Sequence, residues 1–273
     1  HLRPRRQRQM CIRDSVSLFC WKLFKHGLNF KEVYLFCFLG YATHGLLDAC
    51  TTYGTLLLWP FSDTRFAWNN ISIIDPLLTL PMLTFVILSI IRKTNFFSRV
   101  AVIWVVLYLT VGLIQRERAI EAGYEIASSR AHQPTRLEAK PSFGNILLWK
   151  IVYEQENFFY VDAVRVGITP RVYEGTKTEK LDLDKHFPWL EIGSQQRRDI
   201  KRFHWFSNNY LGIDQNNENK IIDIRYSMLP DEIDALWGIE LSETASREEH
   251  VKWITSREMS AKDIEKFWSM LFN

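Results

Sequence analysis

The chain is apolar through much of its first half and carries frequent charges in its second half. Between Val33 and Ile114 the charged residues are few and lie in short loops, whereas from Arg116 onward they recur every few positions. Apolar stretches of this kind are typical of helices that cross a bilayer, whose hydrocarbon core is about 30 Å thick. We therefore predict an α-helical membrane domain followed by a small water-soluble domain.

Three transmembrane helices are predicted in the first half. They cover residues 33–50, 71–91 and 100–114. The third stretch is short for a bilayer, so we expect it either to extend into its flanks or to thin the membrane locally.

The basic residues between the spans predict the orientation. Arg92, Lys93 and Arg99 make the loop before the third span basic, which favours the cytoplasmic side. Three spans that start in the cytoplasm then predict an extracytoplasmic C-terminal domain. Arg116 and Arg118 follow the third span and oppose this orientation.

The second half shows alternating apolar and polar positions, a pattern typical of half-buried strands. Strands are predicted at residues 146–153, 158–168 and 220–226, and helices at residues 116–136, 245–253 and 261–271. Ser260 followed by Asp263 is the pattern of a capping box for the last helix. The expected soluble domain is therefore a small, mainly antiparallel β (α+β) domain.

Composition excludes several classes of function. A net charge of +3 over 273 residues is too small to indicate nucleic-acid binding. The four cysteines all lie in the first half and no CxxC occurs, so neither a disulfide framework nor a zinc–thiolate site is expected.

The first fifteen residues are arginine-rich, do not begin with Met and show no hydrophobic period. We interpret residues 1–15 as a non-native or disordered basic segment, the alternative being a basic tail before the membrane, and we expect the natural N terminus to be missing. The predicted domains are then residues 16–115 for the transmembrane part and residues 116–273 for the soluble α+β part.

His44 and Asp48 lie inside the first predicted span, where ionisable groups are costly and functional by default. Four residues apart on a helix, they share one face about one turn from each other, which is a natural spacing for two ligands of one metal ion. The alternative is a polar pair that only forms hydrogen bonds between packed helices. The residue pattern alone leaves both open.

Further polar residues are expected at the outer face of the membrane, near the depth of this pair. Asp75 and Arg65 are candidate catalytic residues, the first as a third metal ligand or orienting group and the second for holding an anionic substrate. Tyr53, Asp63 and Asn69 are candidate substrate contacts. Several of these residues also have a structural alternative. Asp75 precedes a proline and could cap the second helix, and Asp63 with Arg65 could form a solvated ion pair in the loop. Tyr53 could lie at the membrane interface as an aromatic anchor.

The segment Thr43–Pro81, THGLLDACTTYGTLLLWPFSDTRFAWNNISIIDPLLTLP, resembles the signature of the YdjM-like bacterial inner-membrane proteins, described as membrane-bound metal-dependent hydrolases. Three later strings resemble the longer family members. They are PSFGNILLW at 141–149, DIRYS at 223–227 and LWGI at 236–239.

This resemblance implies that His44 and Asp48 match the family's second His/Asp pair, which is assigned to metal binding. It also implies that Asp63 and Asp75 match acidic positions in the family's outer-loop motif. The family's upstream motifs, an acidic PDxD type and a histidine HRGxSHS type, are not found here, so we expect this chain to hold only part of such a site.

Two functions are expected as alternatives. The first is a membrane-bound hydrolase that uses water activated by a divalent metal ion, Zn, Mn or Mg, and acts on a small-molecule or lipid-like substrate such as a lipid, a phosphoester or an envelope precursor. The second is a non-catalytic envelope or stress protein whose external β domain binds a partner. Both place a multi-pass chain in the lipid bilayer of the bacterial inner membrane, and neither indicates an oligomeric state.

Overall fold

A computed structural model describes residues 19–22, 29–59 and 61–272 of the chain. The described residues divide into two compact units, one that ends at Trp68 and one that begins at Asn69. The helices used below are α1 (Phe30–Cys50), α2 (Pro76–Arg92), α3 (Asn95–Ser129), α4 (Leu183–His186), α5 (Gln195–Phe206) and α6 (Ala261–Phe272).

The strands follow the helical region and form two antiparallel sheets, one with the order β1-β2-β3-β4 and one with the order β5-β6-β7-β8. Their bounds are β1 (Arg136–Pro141), β2 (Leu148–Gln155), β3 (Phe158–Val166), β4 (Pro170–Glu179), β5 (Leu211–Ile213), β6 (Lys220–Asp223), β7 (Trp237–Glu240) and β8 (Lys252–Thr255). A helical region followed by antiparallel sheets is the predicted order of the chain, and that order is confirmed.

Helix α1 is the long helix of the described part of the first unit. It begins with a capping box in which the Asn29 side chain accepts a hydrogen bond from the Glu32 amide, and the Glu32 carboxylate accepts one from the Asn29 amide. Its 21 residues are about 32 Å long at 1.5 Å per residue. The helix is long and apolar enough to cross a membrane.

Helices α2 and α3 open the second unit and form an antiparallel hairpin. The connection is short, and Lys93 adopts the left-handed conformation there with φ of 50°. The indole Nε1 of Trp104 donates to the carbonyl of Leu78 at 3.3 Å. Near the open end of the hairpin, a Cβ atom at Gly112 would lie 2.5 Å from the carbonyl oxygen of Asn70, so the chain before α2 lies against the α3 backbone.

Helix α3 continues without interruption from an apolar half into a half that packs on the first sheet. Its 35 residues span about 52 Å, more than a bilayer core requires. Within the described residues α1 and α3 have the length and composition of membrane spans, and α2 is a shorter apolar helix of 17 residues.

Small residues on one side of α3 make its contact with the sheet close. They are Ala119, Ala122, Gly123 and Ala127, and the three alanines are at most 3% exposed. A Cβ atom at Gly123 would lie 2.9 Å from the Ile151 side chain. A larger side chain on this side would push the helix off the sheet.

Polar contacts fix α3 to the sheet at both ends of its docked half. Near the apolar part, Gln115 Nε2 donates to the carbonyl of Val166 at 2.7 Å. At the other end, the guanidinium of Arg130 makes two hydrogen bonds of 2.7 and 2.8 Å to the fully buried carboxylate of Asp162. A bidentate pair of this kind fixes orientation as well as distance.

The opposite face of the first sheet covers the main core. It packs on β6 and its surroundings in a cluster that includes Val152, Phe159, Tyr210 and Ile222. Helix α6 closes a second cluster over the same sheet with Phe267, Met270 and Leu271. The first sheet is therefore covered on one face by α3 and on the other by the second sheet and α6.

Several predicted elements are confirmed. The strands predicted at residues 146–153, 158–168 and 220–226 overlap β2, β3 and β6. The capping box of α6 is present, with the Asp263 amide donating to Ser260 Oγ at 3.2 Å and the Ser260 amide donating to the Asp263 carboxylate at 2.8 Å.

Other predicted boundaries are wrong. The second span was expected to be helical from residue 71, but the helix begins at Pro76 and residues 71–75 are irregular. The short third span and the helix after residue 116 form one element, so the predicted domain boundary at 115/116 lies inside α3. The helix predicted at residues 245–253 is absent, because the segment consists of turns and the start of β8 and offers too few apolar positions to bury a helical face.

We expect Gly112→Ala to destabilise the second unit, because the new methyl group would lie 2.5 Å from the backbone carbonyl oxygen of Asn70. Overpacking of this kind costs about 1–3 kcal/mol. Thermal unfolding in detergent, followed by far-UV circular dichroism, measures the change.

Gly40→Ala in α1 is the matched control, because a Cβ atom there meets nothing within 4 Å. Alanine in a helix interior is favoured over glycine by about 1 kcal/mol, so this variant is expected to unfold at the same temperature or higher. Equal loss of stability in both variants would contradict the close approach at Gly112.

Candidate functional site

The His44 and Asp48 side chains lie together on the surface of α1. Nδ1 of His44 is 3.1 Å from Oδ2 of Asp48, and the two side chains are 70% and 49% exposed. The helical spacing thus brings the two groups to one face, as expected. Both groups are accessible to a further ligand.

The loop after α1 folds back onto the end of the helix that carries this pair. Thr55 and Phe66 exchange two backbone hydrogen bonds of 2.9 Å, and the Trp68 amide donates to the Ala49 carbonyl at 2.7 Å. Gly54 makes the closure possible with φ of 69°, since a Cβ atom there would lie 2.6 Å from the Phe66 carbonyl oxygen.

Three predicted site residues belong to this closed loop. Asp63 is exposed, while Tyr53 and Arg65 are half-buried. Loop closure ties the segment that carries them to the C-terminal turn of α1, the turn in which Asp48 lies.

Asp75 is the N-cap of α2 and is buried, with 3% of its surface exposed. Its carboxylate accepts hydrogen bonds from the amides of Leu77 and Leu78 at 3.1 and 3.3 Å. The hydroxyl of Tyr108, on α3, lies 2.9 and 2.8 Å from the two carboxylate oxygens. The structure therefore places Asp75 as predicted by the helix-cap alternative, with an added link to α3.

Asn69 is buried at the start of the second unit in the left-handed conformation, with φ of 52°. Its side-chain oxygen accepts a hydrogen bond of 3.1 Å from Lys140 Nζ on β1, and Lys140 also pairs with Glu138 at 3.0 Å. Burial lowers the pKa of Lys140, and the Glu138 carboxylate opposes that shift. Asn69 thus joins the segment before α2 to the first sheet.

The neighbouring Asn70 leaves a buried side-chain oxygen, Oδ1, without a hydrogen-bond partner among the described residues. Ser72 lies in the same buried segment, and its hydroxyl oxygen accepts a hydrogen bond from the Gly144 amide at 3.2 Å. This segment therefore carries structural contacts to α3 and to the loop between β1 and β2.

The predicted residues fall into two groups. His44, Asp48, Tyr53, Asp63 and Arg65 belong to the first unit, while Asn69 and Asp75 belong to the second. Within the residues that the structure describes, no group of three or more His, Cys, Asp or Glu side chains is placed to hold a metal ion.

Sequence reasoning missed the partners Tyr108 and Lys140. Tyr108 lies in an apolar helix, where a tyrosine is ordinary, and Lys140 lies on a strand that the pattern did not predict. The alternation Arg136, Glu138, Lys140 is the signal available for that strand, because charged residues two apart share one face of a strand.

Residues 15–119 match the family model described as YdjM inner membrane protein. The match includes all seven predicted site residues and α1, α2 and the apolar part of α3, and it confirms the resemblance over this segment. No curated protein and no solved structure gives a significant match to the chain.

We expect Tyr108→Phe to destabilise the α2–α3 hairpin, because the buried Asp75 carboxylate would lose its partner on α3. Leaving a buried acceptor without its partner costs about 1–3 kcal/mol. Urea unfolding in detergent micelles reports the loss. Tyr124→Phe, on the same helix with 49% of the residue exposed, is the control and should change stability little; equal effects would contradict a specific role for Tyr108.

Proposed function

We propose that this chain, whose residues 15–119 match the YdjM inner membrane protein family, is a multi-pass inner-membrane protein that works as a metal-dependent hydrolase. The observation that supports the proposal is the exposed His44–Asp48 pair on a helix apolar enough to cross a membrane. Ionisable side chains inside membrane spans are costly in lipid, and where they occur they mark substrate or ion pathways and proton relays.

The geometry of the pair fits a shared divalent ion. Two ligand atoms that each lie about 2.1 Å from one ion are roughly 3.0–3.4 Å apart in octahedral or tetrahedral geometry. The 3.1 Å between His44 Nδ1 and Asp48 Oδ2 lies in this range. One nitrogen and one carboxylate oxygen are compatible with Zn, Mn or Mg.

The remaining residues have distinct roles in this proposal. A divalent ion held by the pair would supply a water molecule of lowered pKa for hydrolysis. Arg65, in the closed loop beside the end of α1, binds an anionic group of the substrate, and Tyr53 and Asp63 contact the rest of it. Asp75 and Asn69 act indirectly, because their side-chain oxygens accept hydrogen bonds from Tyr108 and Lys140.

The second candidate function is a non-catalytic membrane-anchored protein whose β domain binds a partner. One observation favours it: the first sheet is attached to α3 by a buried bidentate ion pair. A rigidly mounted domain is suited to presenting a binding surface at a fixed distance from the bilayer.

Metal analysis of the purified full chain separates the two functions. We expect His44→Ala and Asp48→Ala each to lower the content of bound divalent metal at least several-fold, because each variant removes one ligand of the proposed pair. His250→Ala is the matched control: His250 Nδ1 lies 2.7 Å from Asp199 in the second unit, so the control removes another His–Asp contact. Equal metal content in all variants would reject the hydrolase and favour the non-catalytic candidate.

The proposed topology has three crossings, by α1, α2 and α3, with the start of α1 and the α2–α3 turn in the cytoplasm. The β domain is then extracytoplasmic. This orientation follows from Arg92, Lys93 and Arg99 around the turn and from the positive-inside rule.

Reporter fusions test this orientation. Alkaline phosphatase fused after residue 273 should be active and green fluorescent protein fused there should be dark, because the first needs an oxidising compartment. Fusions after Lys93 serve as the control and should give the reverse. A fluorescent C-terminal fusion would overturn the proposed orientation.

A further inference from the structure

We propose that one end of the first sheet inserts into the lipid interface through two apolar loop tips, Phe143 and Ile168. This inference rests on the proposed membrane crossing by α2 and α3. It adds a direct contact between the β domain and the bilayer, so that the sheet is a lipid-binding element as well as a domain attached to a helix.

The two loops belong to the same end of the sheet. Phe143 lies between β1 and β2, and Ile168 lies between β3 and β4, with 61% and 100% of these residues exposed. The Val166 amide donates to the Leu147 carbonyl at 2.7 Å, which joins the end of β3, just before the loop with Ile168, to the loop that carries Phe143. Leu147 is itself 39% exposed, so three apolar side chains are grouped at this end.

Hydrogen bonds tie both loops to the ends of the apolar helices. The Gly144 amide donates to Ser72 Oγ, and a Cβ atom at Gly144 would lie 3.6 Å from Pro76, the first residue of α2. Arg118 Nη2 donates to the carbonyls of Gly167 and Ile168 at 2.5 and 3.1 Å. The tips therefore lie level with the start of α2 and with the point on α3 where its apolar half ends.

The loop that carries Phe143 has a fixed shape. The Asn145 side chain is almost fully buried, accepts hydrogen bonds from the amides of Leu147 and Leu148, and donates to Ser142 Oγ and the Phe143 carbonyl. Because the loop is held from inside, Phe143 is exposed in a defined conformation. An apolar side chain held in this way at the end of a membrane helix finds its favourable surroundings in lipid.

The residues around the two loop tips indicate that lipid covers Phe143 and Ile168. Exposed apolar residues of α3 continue below the loop tips, with Ile114 at 55% and Leu113 at 43% exposure. Arg116 and Arg118 follow immediately, and Arg118 is bonded to the loop that carries Ile168, so the exposed apolar surface of α3 ends at the level of the loop tips. Exposed apolar side chains therefore occur both on the span just below this level and on the loop tips at this level.

Nitroxide labels at single cysteines measure the depth of each position in the full chain. The four native cysteines are replaced by alanine, far-UV circular dichroism checks that this background is folded, and the protein is reconstituted in phosphatidylcholine vesicles. Labels are introduced through Phe143→Cys and Ile168→Cys. Collision rates with oxygen, which concentrates in lipid, are compared with those of a water-soluble nickel chelate.

Two control positions make the result interpretable. Ile192→Cys replaces an isoleucine that is 85% exposed and follows α4 in the chain. His186 of α4 contacts Glu179, which lies at the end of β4 away from the loop tips. Leu107→Cys, in the apolar half of α3, reports whether that helix lies in lipid at all. We expect the labels at 143, 168 and 107 to show a nickel collision rate several-fold lower than the label at 192, with the oxygen rate retained.

Each other outcome overturns the inference. If the label at 107 is in lipid while those at 143 and 168 collide with nickel as often as the label at 192, the loop tips are in water and only the proposed crossing stands. If the labels at 143 and 168 are shielded from both oxygen and nickel, the tips contact protein, such as a second copy. If the label at 107 collides freely with nickel, the crossing by α3 fails and the inference fails with it.

Discussion

The arrangement of the second unit depends on one uninterrupted helix, α3. Each backbone amide within a helix bonds to the carbonyl four residues before it, so a sharp bend between the apolar and docked halves of α3 would break backbone hydrogen bonds. The buried contact of Arg130 with Asp162 and the hydrogen bond of Gln115 to Val166 then fix the sheet along the docked half. The position of the sheet relative to the apolar half follows from these contacts.

The segment before α2 serves the same arrangement from the other side. Asp75 links the start of α2 to Tyr108 on α3, while Asn69 links this segment to Lys140 on β1. Gly112 gives the segment room to lie against the α3 backbone. Asp75 and Asn69, two of the candidate site residues, therefore connect the hairpin and the first sheet. The His44–Asp48 pair, by contrast, is exposed on α1.

Local features of the sequence predicted the local parts of the structure. The apolar stretches predicted the existence of α1, α2 and α3, the Asp–Pro pattern allowed the cap at Asp75, and the four-residue spacing predicted the contact of His44 with Asp48. Contacts distant in the sequence could not be predicted in this way. Tyr108 and Asp75 are 33 residues apart and Lys140 and Asn69 are 71 apart, so no periodicity connects them.

The length of α3 was misjudged for a related reason. Hydropathy changes sharply near Gln115, and such a change in polarity predicts a boundary between two elements. The helix continues through this change in polarity, because helix formation depends on local propensity and on packing. The small side chains of Ala119, Ala122 and Ala127 pack against the sheet and stabilise the polar half.

In the proposed topology α3 passes through the membrane surface as one continuous helix, so its docked half would move together with its apolar half. Membrane helices adjust their tilt to the thickness of the bilayer. The docked half of α3, from Gln115 to Ser129, extends about 20 Å beyond the apolar half, so a change of tilt by ten degrees would displace its far end by roughly 3–4 Å. Since the sheet is bonded along that half, a change in membrane thickness or lateral pressure would become a rotation of the whole β domain.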